Sequence, residues 1–218
     1  MSDADQPTSL TSFQLEAAAV FFQLPASQGF LLAGGAALAA QHLTTRPTQD
    51  LDFFTSPGRG EVPAARDEFI AAARTRGWKL QIIRDELTFC RIQITGADEL
   101  LIDIALDATP GHPPVTSIAG PTLDPSELAG RKVIALFDRA AARDFVDVFV
   151  LSSSFGKDEL LRLAAEVDAG FDLQVLADMF DMLVRYTDRD LSLGTVDPSA
   201  VRKFFADWAD QIRTGPAP

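Results

Sequence analysis

Every stretch of this chain with strand character lies before Leu106, and every periodic stretch after Pro125 is helical. Strand patterns occur at 29–33, 51–55, 78–84, 87–95 and 100–106. Helical patterns at 12–24, 36–43 and 63–76 alternate with them, stopped in two cases by Pro25 and Gly77. The Pro- and Gly-rich segment 109–125 reads as a linker loop. Helices are then expected at 125–137, 142–152, 157–169, 173–186 and 198–213, with Asp124-Pro125, Gly156 and Asp197-Pro198 as start signals. A small sheet with helices followed by a purely helical half is an α+β architecture. The expected division is an α/β core over 1–115 and a helical C-terminal subdomain over 116–218, with loose ends at 1–11 and 214–218.

Of the 218 residues, 47% are hydrophobic and 23% charged, the balance of a globular chain rather than a disordered one. The longest apolar stretch, Phe30 to Ala40, is too short to cross a bilayer and contains two glycines. The start, MSDADQPTS, is acidic and polar where a secretory signal needs a basic and then an apolar run. A cytoplasmic protein without a membrane partner is therefore expected. Cys90 is the only cysteine, which rules out an internal disulfide, and its apolar-alternating context predicts a packed core residue. The net charge of −12 argues against broad, unspecific nucleic-acid binding and requires any nucleic-acid substrate to be held by a local basic patch.

The chemistry concentrates in two places on either side of a short Ala/Leu helix. Before it stands Gly34-Gly35; after it comes Arg46-Pro47-Thr48-Gln49-Asp50-Leu51-Asp52-Phe53-Phe54. On an extended chain Asp50 and Asp52 share one face while Leu51 and Phe53 point into the core. Two adjacent carboxylates repel, and a divalent cation resolves the repulsion. Magnesium uses one or two carboxylates and completes its shell with substrate phosphates. The glycine pair allows phosphate oxygens to approach exposed backbone N–H groups at a helix start. Alone, a D-x-D is most often a solvated strand end and a GG a turn. In this order, with a helix-sized gap, they supply what nucleotidyl transfer needs.

With Gly34-Gly35-Ala36-Ala37-Leu38 and Arg46-Pro47-Thr48-Gln49-Asp50-Leu51-Asp52-Phe53, the chain resembles the nucleotidyltransferase superfamily with a DNA polymerase β-like core. More specifically it resembles the AbiEii/AbiGii toxins of type IV toxin–antitoxin systems. Ala36 departs from the Ser or Thr frequent in that family, which removes a hydroxyl from the triphosphate's surroundings. The family's second region, a helical Lys followed by R-x-x-x-R-D-x-x-D, is matched by Lys132, Arg139, Arg143, Asp144 and Asp147. The resemblance covers about residues 29–152. It implies a polymerase β-like core, with the helical subdomain completing the active-site cleft. It further implies a magnesium- or manganese-dependent transferase that uses a nucleoside triphosphate, with RNA, above all the tRNA 3′ end, as acceptor. A cognate antitoxin is the implied protein partner.

On this reading Asp50, Asp52, Lys132 and Asp147 are catalytic. Gly34, Gly35, Arg46, Thr48, Arg139 and Arg143 bind the nucleotide. Asp50 and Asp52 hold the metal together with a third carboxylate, for which Asp103 is the candidate and Asp107 the alternative. Independently of the family, Lys132, Arg139 and Arg143 stand at i, i+7 and i+11, so one continuous helix would align them as a cationic stripe; the competing reading is a solvated face with surface ion pairs. Asp144 is expected to be structural. His42 reads as packing or surface, nothing singles out His112, and no Cys/His cluster suggests zinc. A phosphate on Thr48 would add negative charge beside the carboxylates and block the metal. For RNA contact, Arg46, Arg139, Arg143 and Arg185 are the cations expected to contribute. Two other functions share these residues: transfer to a cationic small molecule, and a binding module that keeps the fold without reacting.

Overall fold

A computed structural model describes residues 8–215. The expectations for 1–7 and 216–218 lie outside the described residues. Residues 8–11, expected to be loose, are anchored: Leu10 is buried, and Thr11 caps the first helix in a reciprocal capping box with Gln14. The chain forms two compact units. Among the described residues, one comprises those up to His42 together with Pro47–Pro125; the other comprises Leu43–Arg46 and those from Ser126 onward.

The first unit is a mixed seven-stranded sheet with helices. Its strands are β1 (Leu31–Ala33), β2 (Asp50–Thr55), β3 (Lys79–Asp85), β4 (Phe89–Thr95), β5 (Glu99–Leu106), β6 (Val115–Ser117) and β7 (Gly120–Thr122). They lie in the order β3-β4-β5-β2-β1-β7-β6. The β2/β5 and β1/β7 pairs are parallel and the remaining pairs antiparallel. β6 and β7 overturn the expectation of a linker over 109–125. Each is three residues long, too short for an alternation to show, and the hairpin joins the sheet through Leu32 and Thr122. The unit accordingly runs to Pro125 rather than to 115.

One face of the sheet is the core. Leu51 and Phe53 of β2, Ile102 and Ile104 of β5, and Cys90, Ile92 and Ile94 of β4 are all fully buried. Helices α1 (Ser12–Phe22) and α3 (Val62–Thr75) pack together, and α3 contacts β3, β4 and β5. Phe21 of α1 stacks on Phe53 with ring centroids 3.9 Å apart and lies 6.0 Å from Phe69 of α3. Between β1 and β2 runs α2 (Gly34–Ala40), whose residues from Gly35 to Ala40 are all buried. The helix expected at 36–43 starts two residues earlier, because β1 passes directly into it at Gly34, with φ +64.

The second unit is helical throughout: α4 (Pro125–Arg139), α5 (Ala142–Phe155), α6 (Lys157–Val167), α7 (Leu173–Asp181), α8 (Asp188–Leu191) and α9 (Pro198–Thr214), with a 3₁₀ turn at Met182–Arg185. Its core is aromatic: Phe145, Phe180 and Trp208 all pack against Phe205. Each fully buried aromatic supplies a large apolar area plus edge or stacking contacts.

Phe53 lies on the core face of β2, opposite the carboxylates, so its removal tests the core alone. Phe53→Ala is expected to cost about 3–5 kcal/mol, read as a lowered denaturant midpoint with an unchanged slope.

Candidate active site

The site is built on β2. The alternation that buries Leu51 and Phe53 leaves Asp50 and Asp52 half-buried on the opposite face. In register, Asp52 lies beside Ala33 of β1 on one side and Asp103 of β5 on the other, and Asp103 lies beside Arg91 of β4. Register partners on neighbouring strands project from the same face. Asp50, Asp52, Asp103 and Arg91 therefore belong to one surface. The strands place Asp103, not Asp107, in this row; Asp107 lies beyond β5 at the other end of β2, where its N–H donates to the Thr55 carbonyl.

Each carboxylate has its own support. Thr48 Oγ1 donates to Asp50 Oδ1 at 2.8 Å. Thr48 itself is held from behind by Gln14, whose Nε2 donates to the Thr48 carbonyl at 2.8 Å. Asp52 rests against the start of α2: a Cβ on Gly34 would fall 1.9 Å from Asp52 Oδ2. That close approach and the positive φ both require glycine. The second glycine, Gly35, is the next residue of the same helix. Asp103, 5% exposed, receives both forks of Arg91, Nε to Oδ1 at 2.7 Å and Nη2 to Oδ2 at 2.5 Å. The Arg91 guanidinium is held above its ordinary range by that hydrogen bond to Asp103, against its partial burial, and by the charges of Asp103, Asp50 and Asp52. Nothing in the sequence singles out Arg91, one polar position of an alternating strand; only the strand register reveals it.

No group of three or more carboxylate, His or Cys side chains is arranged to hold a metal among the described residues. The pair Asp50 and Asp52 nevertheless suits a hard cation that also binds phosphate, since magnesium takes one or two protein carboxylates and leaves the rest of its shell to substrate oxygens. Both oxygens of Asp103 are engaged by Arg91, so the three-carboxylate set is not assembled here. Thr48 is 8% exposed with its hydroxyl on Asp50, so phosphorylation there would require local opening.

The second unit gathers the other candidates around Asp147, which is completely buried. Arg46 donates to it through Nε at 2.9 Å and Nη2 at 3.0 Å, and Lys132 Nζ lies 2.8 Å from Oδ2. Burial alone would push the Asp147 carboxyl up. The Lys132 ammonium and the Arg46 guanidinium outweigh it and hold the group below the usual carboxylate range. Asp147 thus balances the charges of Arg46 and Lys132, and Arg46 is 8% exposed. The continuous stripe through Lys132, Arg139 and Arg143 is not formed. α4 ends at Arg139, Ala140 has φ 45, and α5 starts at Ala142. The kink is fixed by Asp144, which receives Arg139 Nε and Nη2, each at 2.9 Å, and the Ala141 N–H. Arg143 and Arg185 are exposed.

Cys90 is fully buried, with its thiol pushed up to about 11 chiefly by burial. His42 is exposed, at positive φ just after α2. His112 lines a cavity of about 830 Å³ with Phe22, Phe30 and Arg59, at the Thr55 end of β2, away from Asp50.

The sequence pattern of the family described as nucleotidyl transferase AbiEii toxin, type IV TA system, matches residues 18–214. The chain belongs to this family. It is thereby a member of a group of toxin-type nucleotidyltransferases of type IV toxin–antitoxin systems. Among solved structures, JHP933 from Helicobacter pylori is 18% identical and superposes with a TM-score of 0.60, covering 93% of each chain. A candidate nucleotidyltransferase from the same organism is also 18% identical, with a TM-score of 0.61, covering 93% of this chain and 96% of that one. These likenesses show that the fold is shared. Among curated proteins no sequence matches. No helix among the described residues is long and apolar enough to cross a membrane.

Two substitutions probe this geometry. Gly34→Ala forces an L-residue into positive φ, about 1–2 kcal/mol, and drives Asp52 from its seat; a small drop in melting temperature with loss of transferase activity is expected. Asp147→Asn removes the charge that Arg46 and Lys132 share, at a cost of about 3–5 kcal/mol. Because the folded Asp147 titrates below its unfolded value of about 3.9, its contribution is complete above that pH and fades as pH falls through the lower folded value. The stability gap between wild type and Asp147→Asn, followed by denaturant titration, should therefore be constant above about pH 5 and close progressively below pH 4.

Proposed function

We propose that this AbiEii-family toxin transfers a nucleoside monophosphate from a nucleoside triphosphate to a hydroxyl of RNA, the tRNA 3′ end in particular, and so stops translation. The observation that carries the reading is the pairing of Asp50 and Asp52 on one sheet face, with Asp52 set against Gly34 at the head of α2. Family membership supports a nucleotide substrate.

Asp50 and Asp52 are the residues that would hold magnesium, or manganese in its place. The cation supplies charge neutralisation for the triphosphate. Thr48 keeps Asp50 oriented through its hydrogen bond, and Gly34 gives Asp52 its place. Gly34 and Gly35 offer backbone without side chains where phosphate oxygens would approach. An acceptor hydroxyl, releasing its proton to solvent, forms a bond to the α-phosphorus as the bond to the bridging oxygen breaks, and pyrophosphate leaves with the electron pair. We assign Lys132 a positioning or phosphate-binding role under the control of Asp147, and the exposed Arg139 and Arg143 a role in meeting phosphates. A cytoplasmic setting and a cognate antitoxin complete the reading.

The test is incubation of purified protein with each labelled nucleoside triphosphate, magnesium and total tRNA, alongside Asp50→Ala. Label in RNA with the wild type and a loss of at least 100-fold in the variant is expected. Triphosphate binding without any labelled RNA would overturn the RNA acceptor and leave a small-molecule transferase. Absence of triphosphate binding would overturn the enzymatic reading altogether.

A further inference from the structure

An RNA substrate poses a problem for a chain of net charge −12, because affinity for nucleic acid comes largely from phosphate neutralisation. Two of the four cations suggested by the sequence are already engaged, Arg46 buried on Asp147 and Arg139 forked onto Asp144. The sheet itself offers another source. From Asp52 the row of register partners runs through Asp103 to Arg91, and from Arg91 to Arg84 on β3. The neighbouring pairs on the same face are Gln93 with Gln81 and Thr95 with Lys79. The carboxylate face thus continues without interruption into a polar and cationic face on the β3–β4 hairpin.

A β-bulge creates this arrangement. The register shifts between Ile82 and Arg84, with Ile83 as the additional residue. Without it, Arg84 would fall on the Ile82 side, towards α3; with it, Arg84 joins Arg91. Between the two arginines stands Phe89, with the Arg84 guanidinium 5.1 Å and the Arg91 guanidinium 5.7 Å from its ring centroid. Arg84 also pairs with Glu86 at 2.7 Å, but their side chains are 58% and 51% exposed, so solvent screens the pair and phosphate can compete for the guanidinium. Lys79 is exposed.

We infer that this face of the β3–β4 hairpin is the docking surface for the single-stranded end of the acceptor RNA, with Phe89 and its two flanking guanidinium groups as a stacking platform and Arg84 and Lys79 as phosphate contacts. The Phe89 ring seats the two guanidinium groups by cation–π contact, and a base stacks on the exposed guanidinium plane of Arg84 irrespective of sequence while the cations follow the backbone. Charge complementarity favours nucleic acid over a basic protein. Continuity with Asp50 and Asp52 directs an end bound there along the sheet towards the carboxylates. The inference rests on the RNA-transfer reading above.

The test uses the full chain with labelled triphosphate and tRNA. Lys79→Glu combined with Arg84→Glu should raise the KM for RNA at least tenfold and leave the KM for triphosphate within twofold. The slope of log affinity against log salt should become shallower by about 0.7 for each RNA phosphate that the variant no longer neutralises. Phe89→Ala should raise the RNA KM and Phe89→Tyr restore it. Arg162→Glu with Lys203→Glu, on exposed helical positions of the second unit, makes the same change of net charge and should leave RNA kinetics unchanged. Wild type that labels RNA, with unchanged RNA kinetics in the hairpin variants, overturns the platform and leaves the transferase reading intact; the same result joined to impaired self-association or impaired antitoxin binding assigns the face to a protein. Failure of the wild type to bind or label RNA overturns the transfer reading and this inference together.

Discussion

A strand has two faces, and β2 must satisfy opposite demands on them within six residues. Leu51 and Phe53 have to leave water completely, while Asp50 and Asp52, one residue away in each case, have to keep their charges. The period of two is the only backbone geometry that does this so compactly. The stacking of Phe21 on Phe53 fixes the strand from the core side, and Thr48, Gln14 and Gly34 fix the carboxylates from the other. A slip of register by one residue would bury both charges and expose both apolar side chains, so core packing and site geometry specify each other.

The carboxylate pair is legible in the sequence because it depends on local spacing. Its environment is not, because that is set by pairing between distant segments. Asp103 stands out as a charge in an apolar strand, but its partner Arg91 depends on β4 lying against β5 in one register. The same limit applies to Asp147. Its proximity in sequence to Arg143 suggests a surface pair, whereas the residues that take its charge are Lys132 and Arg46, the latter 101 positions away. The cationic stripe fails for a local reason: Ala140 adopts positive φ, which alanine does not signal. β6 and β7 leave no pattern because three residues cannot establish a period.

The distribution of charge shows how an acidic chain can keep cations where they count. Asp147 and Asp144 are both fully buried and each is matched by guanidinium groups. Buried pairs of this kind contribute less to net stability than to specifying one arrangement, since desolvation offsets much of their attraction. On the sheet, by contrast, Arg91 is only partly withdrawn from solvent while its partner Asp103 is nearly buried, so the arginine is the member of the pair that faces water.

The four residues Leu43–Arg46 belong with the helical unit although they lie in the middle of the N-terminal half of the chain. A gene fragment ending at Pro125 would therefore encode Arg46 without the carboxylate that takes its charge, and one beginning at Ser126 would encode Asp147 with Lys132 alone to balance it. The two units share no clean genetic boundary. Recombination or duplication of either half by itself would break a buried ionic cluster, which ties the strand of carboxylates and the helical half into a single heritable piece.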